Sequence, residues 1–436
     1  MPRFASLLTC FGLALVVTSH VARADNWERF RGPNGTGISN DKNILTEFSA
    51  TTGVLWKAPS GEGNASPIVW GNRLFLHTTS IDGKQRSLIC LDTADGKEVW
   101  KKTIKAIKPN QIVRKDSSYA SSTPTTDGQM VYVSFWDGKD VILAAYSFKN
   151  GDGVWMKNLG EFVSQHGPGA SPILYQDKLI FANDQDSHYN VTSKNPDEKR
   201  PVANASQLLA LNKKTGQTVW EMPREAHRAC YSAPFVLTQP GKTPELIITS
   251  TTAITSYDPD SGKANWSWKW SFPGMALRTI ASTTYIDGLL LSSSGDGSGD
   301  RHMAAVAMNG FGKDARPDQI WQNNKDFPYV TCMLTRGQHV YFVNDSGLAG
   351  CYHAKTGKKV WFERIPDARF YASPVMIDGK IYAASEQGKV YVIAAEPTGY
   401  QLLATNQLGE RIRATPAVAD GRLYIRGQYN LFCIGK

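Results

Sequence analysis

The sequence has no Cys-x-x-Cys pair and no Cys-x-x-Cys-His, so the spacings that hold zinc, run dithiol exchange or attach haem covalently are missing. Its eight histidines form no His-Glu-x-x-His, and there is no Gly-x-Ser-x-Gly elbow and no Walker loop. The zinc-peptidase, hydrolase and phosphate-cradling signatures are thereby excluded. No run of five or more like charges occurs, so nucleic acid is not an expected partner. Long apolar runs are also lacking. The stretch from Leu7 to Val17, interrupted by Thr9, Cys10 and Gly12, falls short of the roughly 20 residues a membrane-spanning helix needs, and no transmembrane span is expected.

That stretch has another reading. Arg3 precedes it and Ala22-Arg23-Ala24 follows, which makes a positive n-region, an apolar h-region and a small-x-small cleavage site. Residues 1–24 are therefore read as a signal peptide cleaved after Ala24, which places the protein in the periplasm or outside the cell. A lipid anchor on Cys10 competes with this, but Thr9 is a poor neighbour for such a cysteine and the apolar run continues past it. Loss of Arg3 and Arg23 would bring the net charge from +9 to +7, a modest excess suited to anionic partners.

Five of the six cysteines would remain, in an oxidising compartment. Cys90, Cys351 and Cys433 occupy one repeat position that elsewhere carries Ala145, Ala210 and Ser256. A slot shared by Cys, Ala and Ser reads as a small buried strand position holding a free thiol. Cys230 and Cys332 have no such assignment.

The repeat itself is the strongest signal. Seven tryptophans (56, 100, 155, 220, 266, 321 and 361) recur at comparable places, several closing a turn-plus-strand such as Thr356-Gly357-Lys358-Lys359-Val360-Trp361. A second marker, Ser/Thr/Ala-Pro before an apolar run, ends at Pro67, Pro124, Pro172, Pro234, Pro374 and Pro416, with degenerate copies near Thr283 and Cys332. The eight starts lie 42 to 62 residues apart, a propeller-blade period. Within a unit, Asp378-Gly379 and Gln387-Gly388 punctuate three short strands, and the Trp strand is the fourth. The last unit stops after three strands, whereas the first Trp strand, at 53–57, has no unit of its own.

The predicted fold is therefore all-β: an eight-bladed β-propeller of four-stranded antiparallel blades, its ring closed by the N-terminal strand at 53–57. Residues 25–51 form an N-terminal extension without repeat character, and 52–436 the propeller. The tryptophans are assigned to packing between blades.

The Asp-Gly-x-Val/Leu-Tyr and Thr-Gly-x-x-x-Trp pattern resembles the pyrroloquinoline-quinone (PQQ) repeat, found in quinoprotein dehydrogenases and in BamB-like outer-membrane-assembly propellers. The resemblance covers essentially all of 52–436. The lead-in from Trp27 to Gly37 resembles the opening of secreted bacterial PQQ-like propeller proteins. It implies either a scaffold that holds an envelope or secreted protein partner, or a PQQ-dependent alcohol or sugar dehydrogenase with PQQ and calcium in the channel. Quinoprotein alcohol dehydrogenases carry an adjacent Cys-Cys disulfide, and many end in a haem domain. This chain has neither, and no carboxylate cluster stands out for calcium. An exported, non-catalytic scaffold or ligand-binding module without cofactor is the leading expectation; the quinoprotein and a carbohydrate-binding module are the alternatives.

With strands labelled A to D from the centre outward, the D–A and B–C connections share one face, and the longer ones, at 102–120, 185–206 and 294–302, all belong to it. The D–A segments carry Tyr119, His166, Arg228, Tyr231, Arg278, Tyr329, Arg369, Tyr371, Arg411 and Arg413 towards the channel mouth. Guanidinium forks and aromatic faces suit an anionic or sugar-like ligand. No catalytic or metal-binding residue is assigned: the loop from Ser294 to His302 alternates Asp296, Ser298 and Asp300 but lacks the glycine and the bidentate glutamate of a calcium loop, and reads as a polar connection.

Overall fold

Where Asp-Gly separates two apolar runs, both residues adopt positive φ: 46° and 83° at Asp287-Gly288, 49° and 73° at Asp378-Gly379, 54° and 67° at Asp420-Gly421. These are the values of the tight hairpin turn whose twist matches that of its strands. In the computed structural model, which describes residues 26–109, 117–186, 206–226, 228–270, 277–296 and 301–436, such hairpins build eight antiparallel sheets, the blades of one propeller. The expected signal peptide and its cleavage site lie outside the described residues.

Blade 1 comprises strands Ile68–Trp70, Arg73–Thr79, Gln85–Asp92 and Glu98–Lys105. Later blades begin at Thr125–Thr126, Ile173–Tyr175, Phe235–Leu237, Thr284–Ile286, Leu334–Arg336, Val375–Ile377 and Ala417–Ala419, each just after a marker. Blade 8 takes its outer strand, Val54–Pro59, from the other end of the chain, pairing antiparallel with Asn430–Ile434 so that Trp56 faces Cys433. The ring closes as the sequence predicts.

The tryptophans join neighbouring blades. Each sits on strand D, and five of the seven (56, 100, 155, 220 and 321) lay the indole over a glycine in the C–D turn of the next blade, where only glycine leaves room: a Cβ on Gly96 would stand 2.5 Å from Trp56, and one on Gly262 would stand 2.5 Å from Trp220. The indole N–H then donates to a turn carbonyl, as from Trp56 to Thr93 (2.9 Å), Trp155 to Lys213 (2.9 Å) and Trp321 to Ala354 (2.7 Å). Trp266 departs from this, donating instead to the buried carboxylate of Glu245 at 3.0 Å. Opposite the tryptophans on strand C stand Cys90, Ala145, Ala210, Ser256, Ala305, Cys351 and Cys433. Their small side chains make space for the ring. All five described cysteines are free and buried, and burial pushes the Cys90, Cys351 and Cys433 thiols up to about 12.

The residue before each tryptophan bulges out of register, leaving Leu55, Val99, Val154, Val219, Ile320 and Val360 exposed on the outer strands. Bulges of this kind twist a sheet edge away from straightforward pairing with another chain.

Around the channel runs a second set of inter-blade bonds. The backbone N–H before each marker proline, or before Thr283 and Met333 in the degenerate copies, donates to the side chain of its counterpart in the next blade: Ser66 to Thr123, Thr123 to Ser171, Ala233 to Ser282, Ser282 to the Cys332 sulfur, Cys332 to Ser373, Ser373 to Thr415 and Thr415 back to Ser66. This gives Cys332 its place. Among the described residues one link is missing, from Ser171 to Ala233, which has no hydroxyl to accept it.

The extension threads the inner strands near their A–B turns. Trp27 bridges to Val69, the Glu28 carbonyl accepts from Thr126, Arg29 donates to the Pro234 carbonyl, and Arg31 donates to the Met333 carbonyl. Ile38–Ser39 then adds a parallel fifth strand inside blade 7. Blade 7 carries Ala404 where other blades carry tryptophan, and here Leu45 and Phe48 of the extension fill the seam with blade 8. Phe48 N–H donates to Asn406 Oδ1 at 2.7 Å, and Asn406 Nδ2 donates to the Thr46 carbonyl.

Candidate functional site

With the A–B end of the channel occupied by the extension, the opposite face, formed by the D–A and B–C loops, is left to carry a site. The A–B and C–D connections are mostly short. Blade 5 is an exception, with a C–D connection that includes the 3-10 turn Gly312–Asp314, whose Gly312 N–H donates to Glu245 at 2.6 Å.

The residues expected at the mouth fall into two groups. The first spans blades 3 to 6. Arg278 is almost fully buried and donates to Asp186 Oδ1 at 3.2 Å, and the same carboxylate accepts the N–H groups of Ala229 (2.7 Å) and Gln165 (3.2 Å). Arg228 lies beside it, 8% exposed, with no partner for its Nε. Burial, then the neighbouring Arg278 charge, holds its guanidinium below the ordinary value. The Tyr231 hydroxyl donates to the Gly167 carbonyl (3.0 Å) and meets Ser164 Oγ (2.9 Å); burial pushes this phenol up to about 12. Tyr329 lies under the Arg301 guanidinium at 5.0 Å, and Arg301 pairs with Asp345 at 2.7 Å.

The second group spans blades 7, 8, 1 and 2. Arg413 is fixed by Glu386 and lies 4.9 Å over the Tyr371 ring. Tyr119 carries Arg86 over its face at 4.4 Å, and His166 Nδ1 meets Ser117 Oγ at 2.8 Å. A cavity of about 340 Å³ opens here, walled by Glu62, Asn64, Tyr119, Arg411, Arg413 and Arg426 among others. Arg369 joins neither group: it is exposed, its backbone held by Gln387 and Glu386.

Sequence reasoning passed over three arginines. Arg224 forms a fully buried pair with Asp184 at 2.8 Å. Arg426, at the end of strand Arg422–Arg426, donates to the carbonyls of Ala65, His77, Ser60 and Gly61. Arg86 donates to Trp136, Gly83 and Gln85 carbonyls and the Thr79 hydroxyl. Burial lowers Arg426 to about 9 and Arg86 to about 10. His77, with Nδ1 3.0 Å from the Ser122 carbonyl, is lowered to about 3 by burial above all, and so stays neutral. For Arg86 and Arg426 an arginine on a mostly apolar strand was the available signal.

For the calcium implied by the repeat there is no carboxylate cluster: among the described residues no three His, Cys, Asp or Glu side chains group to hold a metal ion. Asp296 of the oxygen-rich loop is described, while Ser298 and Asp300 lie outside the described residues.

A family model described as the outer membrane protein assembly factor BamB matches residues 41–228 and 196–363. The BamB of Shewanella oneidensis is 20% identical over 226 residues, 50% of this chain and 53% of that protein, so the match spans about half of that relative. Among solved structures, BamB from Moraxella catarrhalis superposes with TM-score 0.60 at 15% identity, covering 90% of this chain and 100% of that one. Saccharomyces cerevisiae Sqt1 gives 0.59 at 11% identity (88% and 99%), and the computationally designed Ika8 protein 0.58 at 8% (88% and 99%). These structural likenesses show the fold. No helix among the described residues is long and apolar enough to cross a membrane.

Proposed function

Because the chain belongs to the PQQ-repeat family whose model is described as the outer membrane protein assembly factor BamB, we propose that it is an exported, non-catalytic propeller that holds a protein partner in the cell envelope. The D–A and B–C loop face is the docking surface. One observation carries this reading. Among the described residues the three most exposed large hydrophobic ones, Ile81 (93%), Tyr429 (63%) and Ile107 (66%), all stand on loops of that face, in blades 1 and 8 and the connection to blade 2. The other exposed apolar residues are spread singly along the outer strands. Apolar side chains gathered on one face mark interaction surfaces.

Site-specific photo-crosslinking in the producing cell tests the reading. A crosslinker at Ile81 or Ile107 is expected to yield defined adducts with envelope proteins, and one at Val219 on the outer rim none. Adducts at Val219 alone, or at no position, would refute it.

A further inference from the structure

The cavity between blades 8, 1 and 2 has a charge balance that the docking reading leaves unused. Its floor is Arg426, 1% exposed, whose two terminal nitrogens are spent on four backbone carbonyls while Nε has no partner. Arg86, buried beneath Tyr119, is likewise held by carbonyls and a hydroxyl, with Nη2 unpartnered. Neither guanidinium forms an ion pair among the described residues, and the histidine between them is neutral. At the rim, Arg411 is exposed and also without an ion pair among the described residues, whereas Glu386 holds Arg413 in place. Among the described residues Glu62 is the one carboxylate lining the cavity, and Glu410 stands beside it, its carboxylate taken up by the N–H groups of Tyr429 and Asn430. Carbonyl dipoles orient a guanidinium without cancelling its charge, so the cavity carries net positive potential in a partly desolvated setting.

Neutral donors complete the wall: Asn64, Ser117, Ser118 and Gln428. Ile81 lies on the rim and Tyr429 next to it. The volume, about 340 Å³, is near the lower limit of roughly 300 Å³ for small-molecule sites. It suits one or two inserted side chains.

We infer that this cavity is the anchor pocket of the docking face and receives a carboxylate side chain of the partner, in a segment whose flanking residues are large and apolar. The carboxylate meets Arg411 and the Arg426 floor, and the flanking residues cover Ile81 and Tyr429. This rests on the docking reading above and specifies the partner's chemistry.

Two blocked pentapeptides, acetyl-Ala-Leu-Glu-Leu-Ala-amide and its Gln-centred analogue, are the probes, titrated into the full chain by calorimetry. The Glu peptide is expected to bind at least about tenfold more tightly than the Gln peptide, the size of one charge-assisted contact. Arg411→Gln, at an exposed position, should abolish most of that preference, and Arg369→Gln, outside the pocket, should leave it intact. Glu62→Gln should tighten the Glu peptide by a few-fold, because it removes the wall's own negative charge. Equal binding of the two peptides, or a preference that survives Arg411→Gln, overturns the assignment. So does displacement of the peptide by an equal concentration of glucuronate, which would make the cavity a sugar-acid site. Crosslinked partners at Ile81 with no Glu preference would reject the anchor and keep the scaffold. A Glu preference without crosslinked partners would reject the scaffold and reduce the pocket to a small-ligand site.

Discussion

Replacing Ser373 by alanine removes one hydroxyl from the ring of bonds around the channel. Ser373 is 2% exposed, and its Oγ accepts the Cys332 N–H at 3.0 Å, itself 1% exposed. Water cannot reach the abandoned donor, so the cost is that of an unsatisfied buried N–H, about 1–3 kcal/mol. The chain contains the reverse experiment, because Ala233 interrupts the same ring. Ala233→Ser supplies an acceptor to the Ser171 N–H and should stabilise by about 0.5–1.5 kcal/mol. Cys332→Ser exchanges one acceptor for another and should change little. Urea denaturation followed by tryptophan fluorescence reads all three, since tryptophans sit at the seams that open. If Ser373→Ala and Ala233→Ser both lie within about 0.5 kcal/mol of the parent, the range of an ordinary surface change, the ring of bonds contributes nothing to stability.

Three further outcomes are expected. Gly262→Ala should destabilise by about 1–3 kcal/mol more than Gly241→Ala in the same denaturation assay; both have φ near 70°, but only the Gly262 methyl meets an indole. Phe48→Ala should cost about 3–5 kcal/mol by emptying the seam between blades 7 and 8, and limited proteolysis should then cut the extension first. His77 is neutral in the fold because burial lowers it from 6.5 to about 3. The unfolded chain therefore binds the extra proton between those values, and its contribution to stability, complete above pH 6.5, declines as pH falls towards 3. That slope is at most about 1.4 kcal/mol per pH unit. Comparing the pH dependence of unfolding for His77→Gln and the parent should show a shallower loss in the variant.

The ring was legible because its signals are local and repeated. A proline marker sets the start of each inner strand, and an orphan Trp strand against a three-stranded final unit leaves one way to close. The Cys, Ala and Ser slot was readable too, since size alone decides what faces an indole. The extension was not, because it obeys no repeat: nothing in Ala404 announces that Phe48, from more than three hundred residues away, fills the space a tryptophan leaves. Position within the D–A segments brought Arg228, Arg278 and Arg413 to the loop face but could not separate them from the exposed Arg369, because the segments differ in length and so in phase. Arg86 and Arg426 escaped notice for a related reason. A buried guanidinium is satisfied by carbonyls from several segments, and only the assembled ring brings those together.

The passage of the extension through the ring sets an order of events. Residues that leave the ribosome early, Trp27 to Pro59, have their partners in blades 1, 2, 4, 6, 7 and 8, and the outer strand of blade 8 pairs only once Asn430–Ile434 has emerged. Bringing these ends together across the whole chain carries a loop-closure cost of about 5 kcal/mol, recovered in one step when strand, seam and channel contacts form together. Until then the nascent polypeptide lacks its clasp. A ring clasped by two strands so far apart in the chain stays threadable until both are available, and it is hard to pull open once they have paired.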